Sequence, residues 1–195
     1  MIKTVFFLAR HGETYWNKAM RFQGHLDSAL TELGQWQSQQ LAQRVKMNNI
    51  DIIYSSPLGR AQATAKICQK ILNRPYQVES ELIERNLGLW QGQRVEEVAL
   101  HPDYDEILQQ FSKLSSHGGE SAIACSERIQ RKLHQVAKHY SGAKILVIFH
   151  GEALRCFLAG LGKVSKANAY EQFQNGCMLK LAYHTEPPYF HIGSE

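Results

Sequence analysis

At 195 residues, with 44% hydrophobic and 21% charged residues, the chain has the proportions of one globular domain able to bury a sizeable core. Its net charge of +4 comes from dispersed Lys and Arg, which argues against nucleic-acid binding, and no apolar stretch reaches membrane-spanning length. Met1-Ile2-Lys3 leads straight into an apolar strand, so no signal peptide is expected, and Cys68, Cys125, Cys156 and Cys177 form no Cys-x-x-Cys pair; they read as reduced thiols of a cytoplasmic protein, not zinc ligands.

The first strand is expected at Thr4 to Leu8, within the apolar run Ile2 to Leu8, and Arg10-His11-Gly12-Glu13 follows it directly. Thr31 is a fitting N-cap for a helix reaching about Met47. A strand at Ile52 to Tyr54 precedes a helix from about Leu58 to Leu72, with Ala61, Ala65, Cys68 and Leu72 on one stripe. After a strand at Tyr76 to Val78 comes the least regular stretch, Glu84 to Gly119, containing Gly88, Gly92, Pro102 and Gly118-Gly119. It reads as a short cap over the carboxyl edge of the sheet.

The longest helix is expected from Ser121 to Tyr140, where Ile129, Leu133, Val136 and Tyr140 keep helical spacing. Ile145 to Phe149 is continuously apolar, the pattern of a central strand covered on both faces. A helix starts near Glu152, a strand spans Met178 to Tyr183, and a short edge strand at Tyr189 to Ile192 follows Pro187-Pro188. Strands alternating with helices predict an α/β fold, a three-layer α/β/α sandwich. Its central sheet should be mostly parallel with an antiparallel edge strand, forming a single domain 1–195 with a cap at about 84–119.

In open α/β sheets, ligands collect at the carboxyl ends of the strands. Arg10-His11 and His150-Gly151 both stand at such ends. Either histidine alone could simply cap a turn; two at equivalent ends, each followed by Gly, are harder to dismiss. Phosphoryl transfer needs an in-line nucleophile, cations around the equatorial oxygens and an acid for the leaving oxygen. A guanidinium beside an imidazole suits this, because Arg10 would keep His11 neutral and able to attack. Arg60 falls in the first turn of a helix, where free N–H groups and the dipole favour an anion. An Arg in that position is also commonly just a solvated residue.

Arg10-His11-Gly12-Glu13-Thr14, with Asn17 after it, resembles the signature of the histidine phosphatase superfamily, the phosphoglycerate-mutase-like enzymes. Ser56, Arg60, Thr64 and Ala65 match the second family motif, Ser-x-x-x-Arg-x-x-x-Thr-Ala. Leu82, Glu84, Gly88, Trp90 and Gly92 match Leu-x-Glu-x-x-x-Gly-x-Trp-x-Gly, and Gly118-Gly119-Glu120-Ser121 matches a tetrapeptide opening the long helix. The matches run from Thr4 to about Lys180, nearly the whole chain.

The resemblance implies a phosphoglycerate-mutase-like fold and a phosphohistidine on His11, later hydrolysed by water. It implies that Arg10, Arg60, His150 and Gly151 form the phosphate pocket, and that Asn17 contacts the phosphate. It places Gln23-Gly24 beside the bound ester and makes Glu84 the proton donor to the leaving oxygen, then the base for water. Without the resemblance, Glu84 could be a surface residue paired with Arg85. Asp27, Leu30, Thr31 and Gly34 also match and read as structural, and Ser121 reads as a helix cap. Neither a metal nor another cofactor is implied, and the nine histidines are scattered without metal-ligand spacing.

Three positions depart from the family pattern. Phe149 stands where Ser or Thr is usual before the second histidine, so a polar contact should be missing. Glu152 would repel a bound dianion unless its side chain turns away or meets a substrate hydroxyl. Gln91 replaces the Glu more usual in phosphatases and is closer to the mutases. Against mutase action, the cap offers only Arg85, Arg94 and Lys113 as permanent cations. The expected activity is hydrolysis of a small phosphorylated metabolite, inside a pocket walled by Trp16, Phe22, Leu87, Trp90 and Tyr104. The alternatives are a phosphoglycerate mutase and a phosphohistidine-protein phosphatase or regulatory module. Oligomeric state is left open.

Overall fold

β1 (Thr4–Arg10) is buried along most of its length and runs two residues past the expected end, so Arg10 is its last residue. The computed structural model describes residues 3–163 and 169–193, and Met1 and Ile2 of the expected apolar run lie outside the described residues. α1 (Tyr15–Lys18) is one turn, closed by a capping box between Thr14 and Asn17. α2 (Glu32–Lys46) starts at the expected cap, with Thr31 Oγ1 accepting from Gly34 N–H at 3.0 Å. β2 (Ile52–Ser55), α3 (Gly59–Leu72) and β3 (Tyr76–Val78) follow within a residue of their expected bounds.

The stretch from Glu84 to Gly119 holds a 3₁₀ turn at Gly88–Trp90 and two short helices, α4 (Val95–Val98) and α5 (Tyr104–Gln109). Neither helix is long enough to display a helical period in sequence. They close over an apolar cluster of their own, in which Leu87, Trp90, Val98, Ile107 and Leu108 surround Phe22. α6 (Ala122–His139) begins where Ser121 Oγ accepts from Ala124 N–H. β4 (Lys144–Phe149), α7 (Gly151–Gly160), α8 (Ala169–Gln172), β5 (Met178–Tyr183) and β6 (Phe190–Ile192) complete the chain.

The sheet order is β3-β2-β4-β1-β5-β6. The first four strands are parallel, and the antiparallel pairings, β5 on β1 and β6 on β5, sit together at one edge. Side chains alternate between faces along each strand. Phe6, Leu8, Ile145 and Val147 pack against α6 and α7 through Ile129, Leu133 and Phe157. Phe7, Ala9, Ile53, Leu146 and Ile148 pack against α2 and α3 through Leu41, Val45, Ala61 and Cys68. Each fully buried Leu, Ile or Phe in these layers contributes about 1.5–3 kcal/mol by leaving water. Helices on both faces give the expected three-layer sandwich. Among the described residues, no helix is long and apolar enough to cross a membrane.

Candidate active site

β1 and β4 are parallel neighbours in register, with Arg10 opposite Phe149, so the residues that follow them meet. The His11 N–H donates to the Phe149 carbonyl at 3.0 Å. The His11 and His150 rings stand edge to face, with centroids 5.2 Å apart. His11 Nδ1 lies 2.8 Å from the Gly12 carbonyl, which can only accept, so Nδ1 carries the ring proton. Nε2 therefore holds a lone pair, and Arg60 Nε donates to it at 3.2 Å. Burial, then Arg60, then Arg10 hold His11 well below the ordinary histidine range, so the ring is neutral.

His150 is fully buried, and burial followed by Arg60 lowers its pKa likewise. Ser56 Oγ accepts from Leu58 N–H and lies 2.7 Å from His150 Nε2, where its hydroxyl can donate a hydrogen bond to that nitrogen when the ring proton is on Nδ1. Nδ1–H is then a spare donor with no partner among the described residues. Phe149 is packed in the core. Ser56 is thus the polar neighbour of this ring.

Two neutral buried histidines make stability pH-dependent. Each has a folded-state pKa below the unfolded value of 6.5, so just beneath pH 6.5 the unfolded chain binds more protons. Their contribution is complete above that pH and declines as the solution is acidified. Thermal melts from about pH 7.5 to about pH 5 should show Tm falling, and less steeply in a His150→Gln variant. A flat Tm would contradict neutral burial.

Arg60 is the second residue of α3 and is 1% exposed. Besides His11, it donates to the carbonyls of Leu26 at 2.7 Å and Gly24 at 2.8 Å, and to Asp27 Oδ1 at 3.0 Å. Asp27, which reads from sequence as merely structural, also accepts from the Arg60 N–H at 3.3 Å and so aims the guanidinium. Arg10 donates from Nη1 to the Phe173 carbonyl. A Cβ on Gly151 would stand 3.4 Å from the Arg10 guanidinium, an ordinary van der Waals contact, so packing against that cation does not by itself require glycine there. Gly12 is required by close packing, since a Cβ would lie 2.2 Å from the Gly34 carbonyl oxygen.

Glu84 is 8% exposed and lies against the first turn of α7. Its carboxylate accepts from Arg85 N–H at 2.8 Å, Ala153 N–H at 2.7 Å and Glu152 N–H at 3.3 Å. Burial is the largest influence and raises its pKa, Arg60 opposes this, and Glu152 reinforces it. The alternative reading, a surface pairing with Arg85, does not form. The Arg85 side chain turns inward to the carbonyls of Ile107 and Glu120 and to Glu152.

Arg10, His11, Asn17, Gln23, Gly24 and Arg60 line one recess. Glu84, Gly151 and Glu152 line it too. His150 does not line it and stands behind, its ring against that of His11. Of the aromatic and apolar groups expected around the pocket, Phe22 and Leu87 line it, whereas Trp90 and Tyr104 pack within the cap's own cluster. Trp16 approaches Gly92 instead.

Sequence reasoning misses Asn175, whose Nδ2 donates to the His11 carbonyl and to Asn17 Oδ1, both at 3.1 Å. It sits in the approach to β5, where no motif marks it. Gln91 fixes the turn after Gly24, because its Oε1 accepts the His25 N–H at 2.6 Å.

Comparison with known proteins places the chain in a family. Residues 6–191 match the model of the histidine phosphatase superfamily, branch 1. Phosphoserine phosphatase 1 of Hydrogenobacter thermophilus is 34% identical over 163 residues, covering 83% of this chain and 76% of that protein. A probable phosphoglycerate mutase GpmB of Yersinia pestis is 34% identical over 186 residues, covering 93% and 86%. The crystal structure of an Entamoeba histolytica phosphoserine phosphatase in complex with 3-phosphoglyceric acid superposes with a TM-score of 0.81 at 30% identity, covering 98% and 95%.

Proposed function

We propose that this chain, which belongs to the histidine phosphatase superfamily, hydrolyses small phosphomonoesters without a metal ion, through a phosphohistidine on His11. Phosphoric monoester hydrolysis itself follows from the family and from the phosphoserine phosphatase relatives. The observation that carries the mechanism is the neutral His11 ring, its Nε2 lone pair turned toward Arg60 and its proton held on Nδ1.

Arg10, Arg60 and the Nδ2 donor of Asn17 would receive the phosphoryl oxygens. On binding, the Arg60 Nε–H passes from His11 Nε2 to a phosphate oxygen and frees the lone pair. Nε2 then attacks phosphorus, the ester P–O bond breaks, and protonated Glu84 gives its proton to the leaving oxygen. Glu84, now a carboxylate, takes a proton from water as that water attacks the phosphohistidine. Phosphate departs, and His11 and Glu84 return to their starting states. His150 Nδ1–H would stabilise the transferring group. The whole chain would act as one domain, with residues 84–119 as its cap.

Hydrolysis is favoured over mutase action by where the cap's cations lie. A mutase must retain a bisphosphate, which takes several converging cations. Arg85 is committed to carbonyls and Glu152, Arg94 is exposed and paired with Glu96, and Lys113 is exposed. None of the three lines the recess. Inorganic phosphate should appear in step with substrate loss, unaffected by excess chelator or added bisphosphoglycerate. Interconversion of 2- and 3-phosphoglycerate faster than phosphate release would overturn this choice.

Glu84→Gln separates the acid from the nucleophile. An alkoxide leaving group needs its proton, whereas p-nitrophenolate hardly does. The variant should lose much more activity on alkyl phosphates than on formation of phosphoenzyme from p-nitrophenyl phosphate. Equal losses on both would make Glu84 structural.

A further inference from the structure

We propose that Glu152 makes this site selective for phosphomonoesters whose organic part carries a hydroxyl group near the ester oxygen, such as polyol or sugar phosphates, over phosphorylated carboxylic acids. The inference rests on the phosphomonoester reading above and names its substrate class.

Glu152 is 6% exposed, lines the recess and adjoins the proposed acid, its N–H donating to Glu84. Its carboxylate is fixed from behind. Arg155 Nε reaches Oε1 at 3.0 Å, Arg155 Nη2 reaches Oε2 at 3.0 Å, and Arg85 Nη1 reaches Oε2 at 3.2 Å. A carboxylate accepts about four hydrogen bonds, so these three leave acceptor capacity on Oε1. Two arginines against one carboxylate leave no net negative field to attract an ammonium group. A neutral O–H donor is what this arrangement suits.

Gln23 supplies a second acceptor, and its orientation can be deduced. The Thr14 N–H donates to Asn17 Oδ1, as does the Thr14 hydroxyl. Thr14 Oγ1 has thus given its proton away and must accept from Gln23 Nε2 at 3.0 Å. Gln23 Oε1 is therefore the amide oxygen, in a side chain only 5% exposed that lines the recess, and it has no partner among the described residues. An acceptor facing a phosphate dianion would be repelled, so its partner must come from the organic part. Arg10 and Arg60, beside His11, are the arginines lining the recess, and a substrate carboxylate beyond them meets two acceptors instead of a cation.

The test is calorimetric binding to the His11→Ala protein, which cannot turn over by the proposed route. Glycerol 1-phosphate should bind about tenfold or more tightly than propyl phosphate, the loss expected when buried acceptors go unpaired. It should also bind more tightly than 3-phosphoglycerate. Equal affinity for the first two, or preference for 3-phosphoglycerate, would overturn the proposal. Adding Glu152→Met together with Arg155→Met removes the Glu152–Arg155 pair, leaves Arg85 on the carbonyls of Ile107 and Glu120, and should shrink the glycerol/propyl ratio to within about threefold. An unchanged ratio in that folded variant removes Glu152 from the role. If the variant fails to fold, the ratio on the protein retaining Glu152 decides. A protein with His11 intact that binds with this ratio yet releases no phosphate would refute the phosphatase mechanism and leave the selectivity standing.

Discussion

Replacing His11 with Ala should abolish the phosphoenzyme and lower turnover by roughly 10⁴-fold or more, the scale seen when the nucleophile of a concerted set is removed. Rapid, acid-free quenching with labelled substrate should trap an acid-labile, alkali-stable adduct on the unaltered protein and none on the variant. The backbone at this position is held independently of the ring. The His11 N–H bonds to Phe149 and its carbonyl accepts from Asn175 and Gly176, so the strand end should survive the substitution. Loss of activity with an unchanged fold would then report on the nucleophile alone. Normal turnover in His11→Ala would refute the mechanism.

What the sequence exposes here is whatever a strand end or a helix start makes periodic or punctuated. His11 and His150 are legible because each follows an apolar run and precedes Gly, and parallel pairing of β1 with β4 turns that similarity into a 5.2 Å ring contact. Arg60 is legible because its motif opens a helix immediately after a strand. The helix caps Thr31 and Ser121 announce themselves by residue type, and both make the expected bond.

The support around these residues is less visible, because it comes from far along the chain and uses ordinary groups. Asn175 reaches His11 from 164 positions away. Asp27 looks like a turn residue until α3 carries Arg60 onto it. Arg85 beside Glu84 invites a neighbour pairing, yet the first turn of α7 supplies Glu84 with N–H donors and leaves Arg85 to reach Glu152. Only the Glu152–Arg155 half of that network has a helical i, i+3 spacing. The cap is opaque for another reason: four- and six-residue helices cannot show a period, and aromatic residues such as Trp90 look alike whether they wall a ligand or fill a small core.

Arg60→Ala should lower kcat by about 10²–10³, the usual effect of removing one preorganised donor from a transferring oxyanion. The geometry adds a second signature that a purely structural arginine would not give. Arg60 covers the His11 lone pair in the resting site and is, after burial, the largest influence lowering that ring's pKa. Without it, the His11 pKa moves back up toward the ordinary histidine value, so a larger share of the ring is protonated in mild acid. A protonated ring cannot attack, and the acid limb of the pH–rate profile should therefore shift to higher pH in the variant. Inhibition by phosphate and vanadate should weaken as well, since the same guanidinium would meet the equatorial oxygens. Arg60→Lys restores the charge but not the planar fork that serves His11, Gly24, Leu26 and Asp27 together, so it should recover the acid limb better than kcat. A kcat within about twofold in the Ala variant would remove Arg60 from the transition state, since a catalytic donor is worth several kcal/mol. A large loss of kcat with the acid limb unmoved would show instead that Arg60 holds the turn at Gly24–Asp27 in place without acting on the nucleophile.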